Sequence, residues 1–441
     1  MTPDDVLAAT VREEWGRLVA LLLAQFRRLD LVEDALADAV EAAARTWPRD
    51  GAPERPAAWL MTTARRRVVD RLRAEAVALR KEPLLVVDAQ AIADRGGAMA
   101  DPGDLVDDDV LRLVLMCCHP TLAPEVASAL ALRLVVGVPT DDIARLFLVP
   151  VPTMAARITR GKRKVVTACI PFGVPDASVL PERLEVVAQV AYLAFTAGYA
   201  PGTGPDLLRA DLSGEAVRLV RVTLALRPEE PTLRALLALL LLQHSRRDAR
   251  VGPDGDLVLL PDQDRSRWHH DEVAEALGLL DRMPATGTSA LAESYRLQAL
   301  VAAEHATAAT AADTRWDRIC DHYASLVELT PSPAVRLAAA VALAERDGPR
   351  AGLVALDGLD DELPRSHRLP AVRGELLARL GEDAAAVAAF DLAVERCAND
   401  VERDHLERRR AQLTPGVSRP ARRRAGGAGP PLRRPPSATT S

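Results

Sequence analysis

At 441 residues the chain is too long for one ordinary core, and about two to four domains are expected. Charged residues make up 27% and the hydrophobic set 49%, the balance of a folded, soluble protein rather than a disordered or membrane-embedded one. The net charge of −6 excludes a molecule held to nucleic acid by its overall field, so any such contact has to come from local basic faces.

Aromatic residues are only 3%, while Ala and Leu abound, which favours helix over sheet. Alternation suggestive of a strand is confined to Asp256–Leu260. The N-terminal stretch MTPDDVLAATVREEW is acidic and amphipathic and lacks the charged-then-apolar order of a signal peptide. The longest apolar run, Leu233–Leu242, contains Arg234 and is too short to span a bilayer. No membrane contact and a cytoplasmic location are therefore expected.

Taken in order, a first helix is predicted near Pro3–Leu29 and a second near Leu31–Arg45. The break WPRDGAPERP follows, and a third helix runs near Ala57–Arg80. Together they form a first unit, residues 1–81. On the third helix Leu60, Ala64, Val68, Leu72, Ala76 and Leu79 make an apolar stripe. Arg65, Arg66, Arg67, Arg71, Arg73, Arg80 and Lys81 cover much of the rest, opposed only by Asp70 and Glu75. Each arginine offers a planar fork of donors suited to phosphate. Trp59 reads as a core anchor.

Residues 82–107, with Gly96-Gly97, Pro102-Gly103 and a cluster of aspartates, read as a flexible linker. A second helical unit spans 108–170 and ends in VPTDDIARLFLVPVPTMAARITRGKRKV. Thr140 is a helix cap, with Asp141 and Asp142 at the positive end of the dipole. Ile143, Ala144, Leu146 and Phe147 supply an apolar side, and Val149-Pro150 ends the helix. Pro152 opens the next helix. There Ala155, Ile158 and Val165 share an inner face, while Thr153, Arg157, Arg160 and Lys164 lie on the other side. This pattern predicts a helix-turn-helix whose second helix reads the major groove.

The five cysteines, Cys117, Cys118, Cys169, Cys320 and Cys397, are odd in number and scattered, as suits buried thiols in a reducing cytosol. Cys117-Cys118-His119 has no partner pair at ligand spacing, so it reads as a packed helix end and no metal is expected. Residues 176–413 form a larger helical domain with a faint repeat. Gly374, Gly381, Ala386, Phe390 and Ala393 sit at tetratricopeptide spacings, with unit starts near 197, 231, 300, 334 and 367. Gly252–Arg267 reads as an exposed insertion in this array. Residues 414–441, with six arginines and no acid, form a disordered basic tail.

Leu31–Arg45, the break and PAAWLMTTARRRVVDRLR resemble region two of bacterial extracytoplasmic-function sigma factors. DDDVLRLVLMCCHPTLAPEVASALALRL with the helix-turn-helix resembles region four. PERLEVVAQVAYLAFTAGY, LRADLSGEAVRLVR and DQDRSRW are similar to the subgroup with a tetratricopeptide-like C-terminal extension. The resemblance implies an all-α protein with two small sigma domains and a repeat domain. It implies that Asp34, Asp38 and Glu41 meet core RNA polymerase. Arg65, Arg66, Arg67, Arg71 and Arg73 would then meet the minus-ten strand, and Thr153, Arg157, Arg160 and Lys164 the minus-thirty-five duplex. Ala37 stands where relatives commonly have glutamine, Arg66 where many have asparagine, and Thr196-Ala197 where the subgroup has asparagine-glutamate.

No P-loop, GxGxxG, HExxH or GxSxG is present, so neither an enzyme nor a cofactor is expected. The implied partners are core polymerase, promoter DNA and a protein partner of the repeat domain, which would modulate activity. The competing reading is a helix-turn-helix regulator with a helical-repeat sensor, acting without polymerase. On the sigma reading about the first 175 residues suffice, and truncation after Cys169 is expected to leave a folded sigma core.

Overall fold

The computed structural model describes residues 2–78, 104–199, 210–253, 255–284 and 288–413. Among these residues the fold is all-helical, with 19 α-helices and no sheet. The expected strand at Asp256–Leu260 reduces to one antiparallel bridge between Val251 and Leu257.

Three helices open the chain: α1 (Pro3–Phe26), α2 (Leu29–Asp50) and α3 (Pro56–Ala78). Thr2 and Asp5 form a reciprocal capping box at the start of α1, with Pro3 in the first turn. The second helix is longer than predicted and runs through Pro48, so only 51–55 remain of the expected break. On α3, Leu60, Ala64, Val68 and Ala76 are buried and Leu72 is half-buried, as the stripe predicts. Trp59 is half-buried, edge-on to Trp47 with ring centroids 5.5 Å apart. Leu79, Arg80 and Lys81 lie outside the described residues.

Helix α4 (Asp104–Cys117) begins four residues inside the predicted linker; the described part of that linker is helical. It leads to α5 (Pro124–Ala131), which widens into a π-turn, Leu132–Val136, closed by Gly137 at φ +84°. Helices α6 (Thr140–Leu146) and α7 (Val151–Thr167) complete this unit.

The π-turn is where the first two units meet. A Cβ on Gly16 of α1 would lie 2.2 Å from the Val135 carbonyl oxygen, so only glycine admits this approach. Trp15 Nε1 donates to the Arg133 carbonyl at 3.0 Å. A third layer follows: α8 (Leu180–Tyr199), α9 (Ala210–Leu226) and α10 (Pro231–His244). Ser128 Oγ of α5 donates to the Val190 carbonyl of α8 at 3.0 Å. Arg218 of α9 donates to the carbonyls of Val136 and Arg12, joining all three layers. Helix α10 is apolar all round and accordingly central; Arg234 within it donates to the carbonyls of Pro228 and Arg282.

One continuous core therefore runs from Leu7 to Ala303. The core of α4–α7 is closed on one side by α1 and on the other by α8–α10, so the first 175 residues share their core with the helices that follow. Helices α11 (His270–Asp281) and α12 (Ala290–Thr307) finish this core.

Three smaller clusters serve the remaining helices: α13 (Trp316–Leu329), α14 (Pro333–Asp347), α15 (Pro349–Ala355), α16 (Leu359–Glu362), α17 (Arg368–Arg379), α18 (Asp383–Arg396) and α19 (Asp400–Leu413). Gly374 of α17 faces the Phe390 ring of α18 so closely that a Cβ would lie 3.1 Å from it. Predicted unit starts near 231, 334 and 367 coincide with helix starts, whereas 197 and 300 fall inside α8 and α12. The basic tail, 414–441, lies outside the described residues.

Candidate nucleic-acid interface

The helix-turn-helix forms as the sequence predicts, with two local differences. Pro139, not Thr140, occupies the cap of α6, and Thr140 is its first helical residue. Asp141 and Asp142 still sit in the first turn, where the helix dipole favours them. The turn is made by Leu148 in the left-handed region, at φ +55°. Val149 N donates to the Ala144 carbonyl at 3.0 Å and Leu148 N to the Arg145 carbonyl at 3.3 Å, the paired bonds of a Schellman ending.

On α7 the inner face is Met154, Ile158, Gly161 and Val165, a spacing of four, three and four. Ala155, predicted to face inward, is exposed; Met154 takes its place one residue earlier. Gly161 lets α7 close on α5, since a Cβ there would meet Val126 at 2.7 Å. Thr153, Arg160 and Lys164 are exposed, and Arg157 is half-buried on the same side. Lys164 Nζ donates to the Thr121 carbonyl at 2.5 Å, so it is tethered at the rim. Arg163, which sequence reasoning passed over, is exposed beside Arg160 and has no hydrogen-bond or ion-pair partner among the described residues.

The preceding residue is different. Lys162 turns away from the exposed face and pairs with Glu33 of α2. Arg133 of the π-turn donates Nε to the same carboxylate at 2.6 Å. Glu33 is only 4% exposed, and burial lowers the pKa of both Arg133 and Lys162. The sequence signal was a carboxylate on the apolar stripe of α2, between Leu29 and Leu36.

The residues expected to meet core polymerase and the minus-ten strand lie on adjoining helices and partly neutralise each other. Arg71 of α3 donates to Asp38 at 2.7 Å and lies 3.8 Å from Asp34. Glu41 pairs with Arg45 one turn on, and Arg73 with Asp70. Arg66 and Arg67 are exposed, and Arg65 is half-buried. The described part of the basic face is thus divided, with Arg71 turned to α2.

Cys117 and Cys118 are fully buried, and burial raises both thiols, that of Cys118 to about 12. His119 Nδ1 lies 2.7 Å from the Thr121 hydroxyl. Burial on this scale disfavours the thiolate that a metal would need. Elsewhere His367, Cys397 and Glu402 bring one donor atom each within 4.8 Å, but Arg250, Arg368 and Arg403 act on the same groups and oppose a cation. No described helix is long and apolar enough to cross a membrane.

Residues 112–165, from within α4 to near the end of α7, match the family described as Sigma-70, region 4. Residues 183–284 match a family of unknown function, DUF6596. A protein of Rhizobium meliloti (strain 1021), described as "Uncharacterized protein R00370", is 41% identical over 404 residues, covering 91% of this chain and 93% of that protein. The chain belongs to the same family as this Rhizobium protein, and its region 4 helix-turn-helix makes it a sigma-factor-like, DNA-binding protein.

Proposed function

We propose that the chain is an alternative sigma factor of the extracytoplasmic-function type, acting in the cytoplasm. It binds core RNA polymerase and directs initiation at promoters that it recognises at minus ten and minus thirty-five. The observation that carries this reading is the sigma region 4 match laid over a helix-turn-helix whose outer face carries Arg157, Arg160 and Arg163. Thr153 and Lys164 flank them. Such a face suits a major groove, with bidentate arginines for bases and the remainder for phosphates. Support for polymerase contact is the acidic edge Asp34, Asp38 and Glu41 on α2. Support for strand capture is the adjoining Arg65, Arg66, Arg67, Arg71 and Arg73. The chain itself performs no bond chemistry; it positions the polymerase.

The tetratricopeptide-like part, 176–413, sets the activity of the first two units through its own protein partner. This rests on Arg218 and Val190, which bind backbone carbonyl or hydroxyl groups of those units directly. A partner that shifts α8–α10 thereby shifts α5 and the π-turn. Reconstitution tests the whole: full-length protein added to core polymerase should yield a stoichiometric complex and start-site-specific run-off transcripts. Sequence-specific DNA binding without polymerase binding would instead establish the regulator reading.

A further inference from the structure

Helices α13 and α14 border a cleft whose shape follows from residue size. On α13, Trp316, Ile319 and Tyr323 fall at i, i+3 and i+7, a stripe about 10 Å long on one face. On α14, Ala338, Val341 and Ala342 fall at i, i+3 and i+4 and line the same space, with Ile319 and Ala342 meeting in one buried cluster. Small side chains set against large ones leave room between the helices. Leu260 and Pro261 close one side, which gives a cleft of about 480 Å³. The insertion expected at Gly252–Arg267 is therefore not a free loop. Its Gln263 is buried, and its Asp256 is held by Arg408 of α19 at 2.8 Å.

Two charged residues line the cleft, one of each sign, and both are compensated. Arg265 donates to the His305 carbonyl at 2.6 Å and lies in the field of Asp313, whose own partner Thr310 is neutral. Glu345, exposed at the rim, accepts from Arg379 at 2.5 Å. Burial, then Arg246 and Arg265, keep the third titratable wall, His305, neutral. An ion therefore gains little here. What the walls leave unused is hydrogen-bonding capacity. Thr314 is only 7% exposed, and its hydroxyl has no partner among the described residues. Neither the Trp316 indole N–H nor the Tyr323 hydroxyl has one there, although burial raises the Tyr323 phenol to about 12. Buried donors are rarely left without acceptors, and these three line one apolar cleft.

We propose that this cleft binds an uncharged, flat organic molecule bearing carbonyl-type acceptors, its rings held between the α13 and α14 stripes and its acceptors met by the Thr314, Trp316 and Tyr323 donors. The volume is that of a small-molecule site, where apolar walls supply affinity and a few placed polar groups fix orientation. The site stands whether or not the chain joins polymerase.

Equilibrium dialysis of the full-length protein tests it, with coumarin and chromone as probes and naphthalene and coumarin-3-carboxylate as controls. One-to-one saturable binding of at least one probe is expected, about tenfold or more tighter than naphthalene, which has the rings without the acceptors. The carboxylate should bind no more tightly than coumarin, since each charge in the cleft is already matched. Thr314→Val and Tyr323→Phe keep the shape of the walls and remove one hydroxyl each. At least one of them should weaken binding about threefold or more, and neither should lower the melting temperature of the free protein, because no partner within the chain is lost. Ala338→Phe fills the cleft from a half-buried wall and should abolish binding. Absence of saturable binding by both probes, equal binding of naphthalene, tighter binding of the carboxylate, or unchanged affinity in folded Ala338→Phe or in both hydroxyl variants overturns the proposal.

Discussion

Glu33 on α2 accepts Arg133 Nε at 2.6 Å and pairs with Lys162, so one buried carboxylate joins the first three helices to both the π-turn and α7, the second helix of the helix-turn-helix. Removing it strands two cations in a site where the side chains of Arg133 and Lys162 are only 18% and 19% exposed. Glu33→Ala should cost about 3–5 kcal/mol, whereas replacing all three residues by Met should cost far less. Urea unfolding of the full chain measures both. A Glu33→Ala midpoint equal to that of the parent chain would exclude the joint.

Gly16 tests the same interface through sterics. An added methyl would meet the Val135 carbonyl carbon and oxygen, which the π-turn fixes in place. Gly16→Ala should destabilise by about 1–3 kcal/mol despite alanine's better helix propensity. Gly51, with open space around it, is the contrasting site where crowding adds nothing. A higher melting temperature for Gly16→Ala would contradict the observed packing.

On α7, if it enters the major groove as proposed, single changes of Arg157, Arg160 or Arg163 to Ala should separate by role. Loss of a base-reading arginine should cost about 1–3 kcal/mol and relax preference at one position. Loss of a phosphate contact should weaken all sequences and lower the salt slope by about 1. Ile158→Asp should unfold the unit, since Ile158 is 4% exposed. Promoter-fragment binding that survives all three arginine changes with its salt slope intact would refute the assignment.

Arg71 already occupies Asp38, so on the proposed sigma-factor function polymerase binding and strand capture would compete for one guanidinium. Changing Asp34 and Asp38 together to Arg should abolish polymerase binding by like-charge repulsion. The pair is largely solvent-accessible, so stability should change by less than about 1 kcal/mol. Arg71→Ala should keep polymerase binding and weaken open-complex formation. Full polymerase affinity in the double-reversal variant would rule out this edge as the contact.

His305 carries a pH prediction. Burial, then Arg246 and Arg265, hold its pKa at about 4 against an ordinary 6.5. Above pH 6.5 it is neutral in both folded and unfolded chains, and its full contribution is present. As pH falls from 6.5 to 4 the unfolded chain binds the proton first, so stability falls, by up to about 3 kcal/mol. Below 4 no further loss comes from this group. His305→Phe should flatten that segment of the stability profile; an identical slope with and without the histidine would rule it out as the source.

Much of this protein was written in its local pattern. Helix class, the helix-turn-helix, the apolar stripe of α3 and the exposed position of Thr153, Arg160 and Lys164 all follow from spacings of three and four, from Pro152 and from Val149-Pro150, which act within a turn or two. The boundary errors were local too: Pro48 sits inside α2, and α4 starts at Asp104 rather than 108. What no local pattern could supply was the way the units close on one another. Glu33 and Arg133 are 100 residues apart, and Arg218 lies 206 from Arg12. Such pairs depend on which faces meet, and that is decided by burying one continuous apolar surface from Leu7 to Ala303, a property of the assembled helices and not of any one of them.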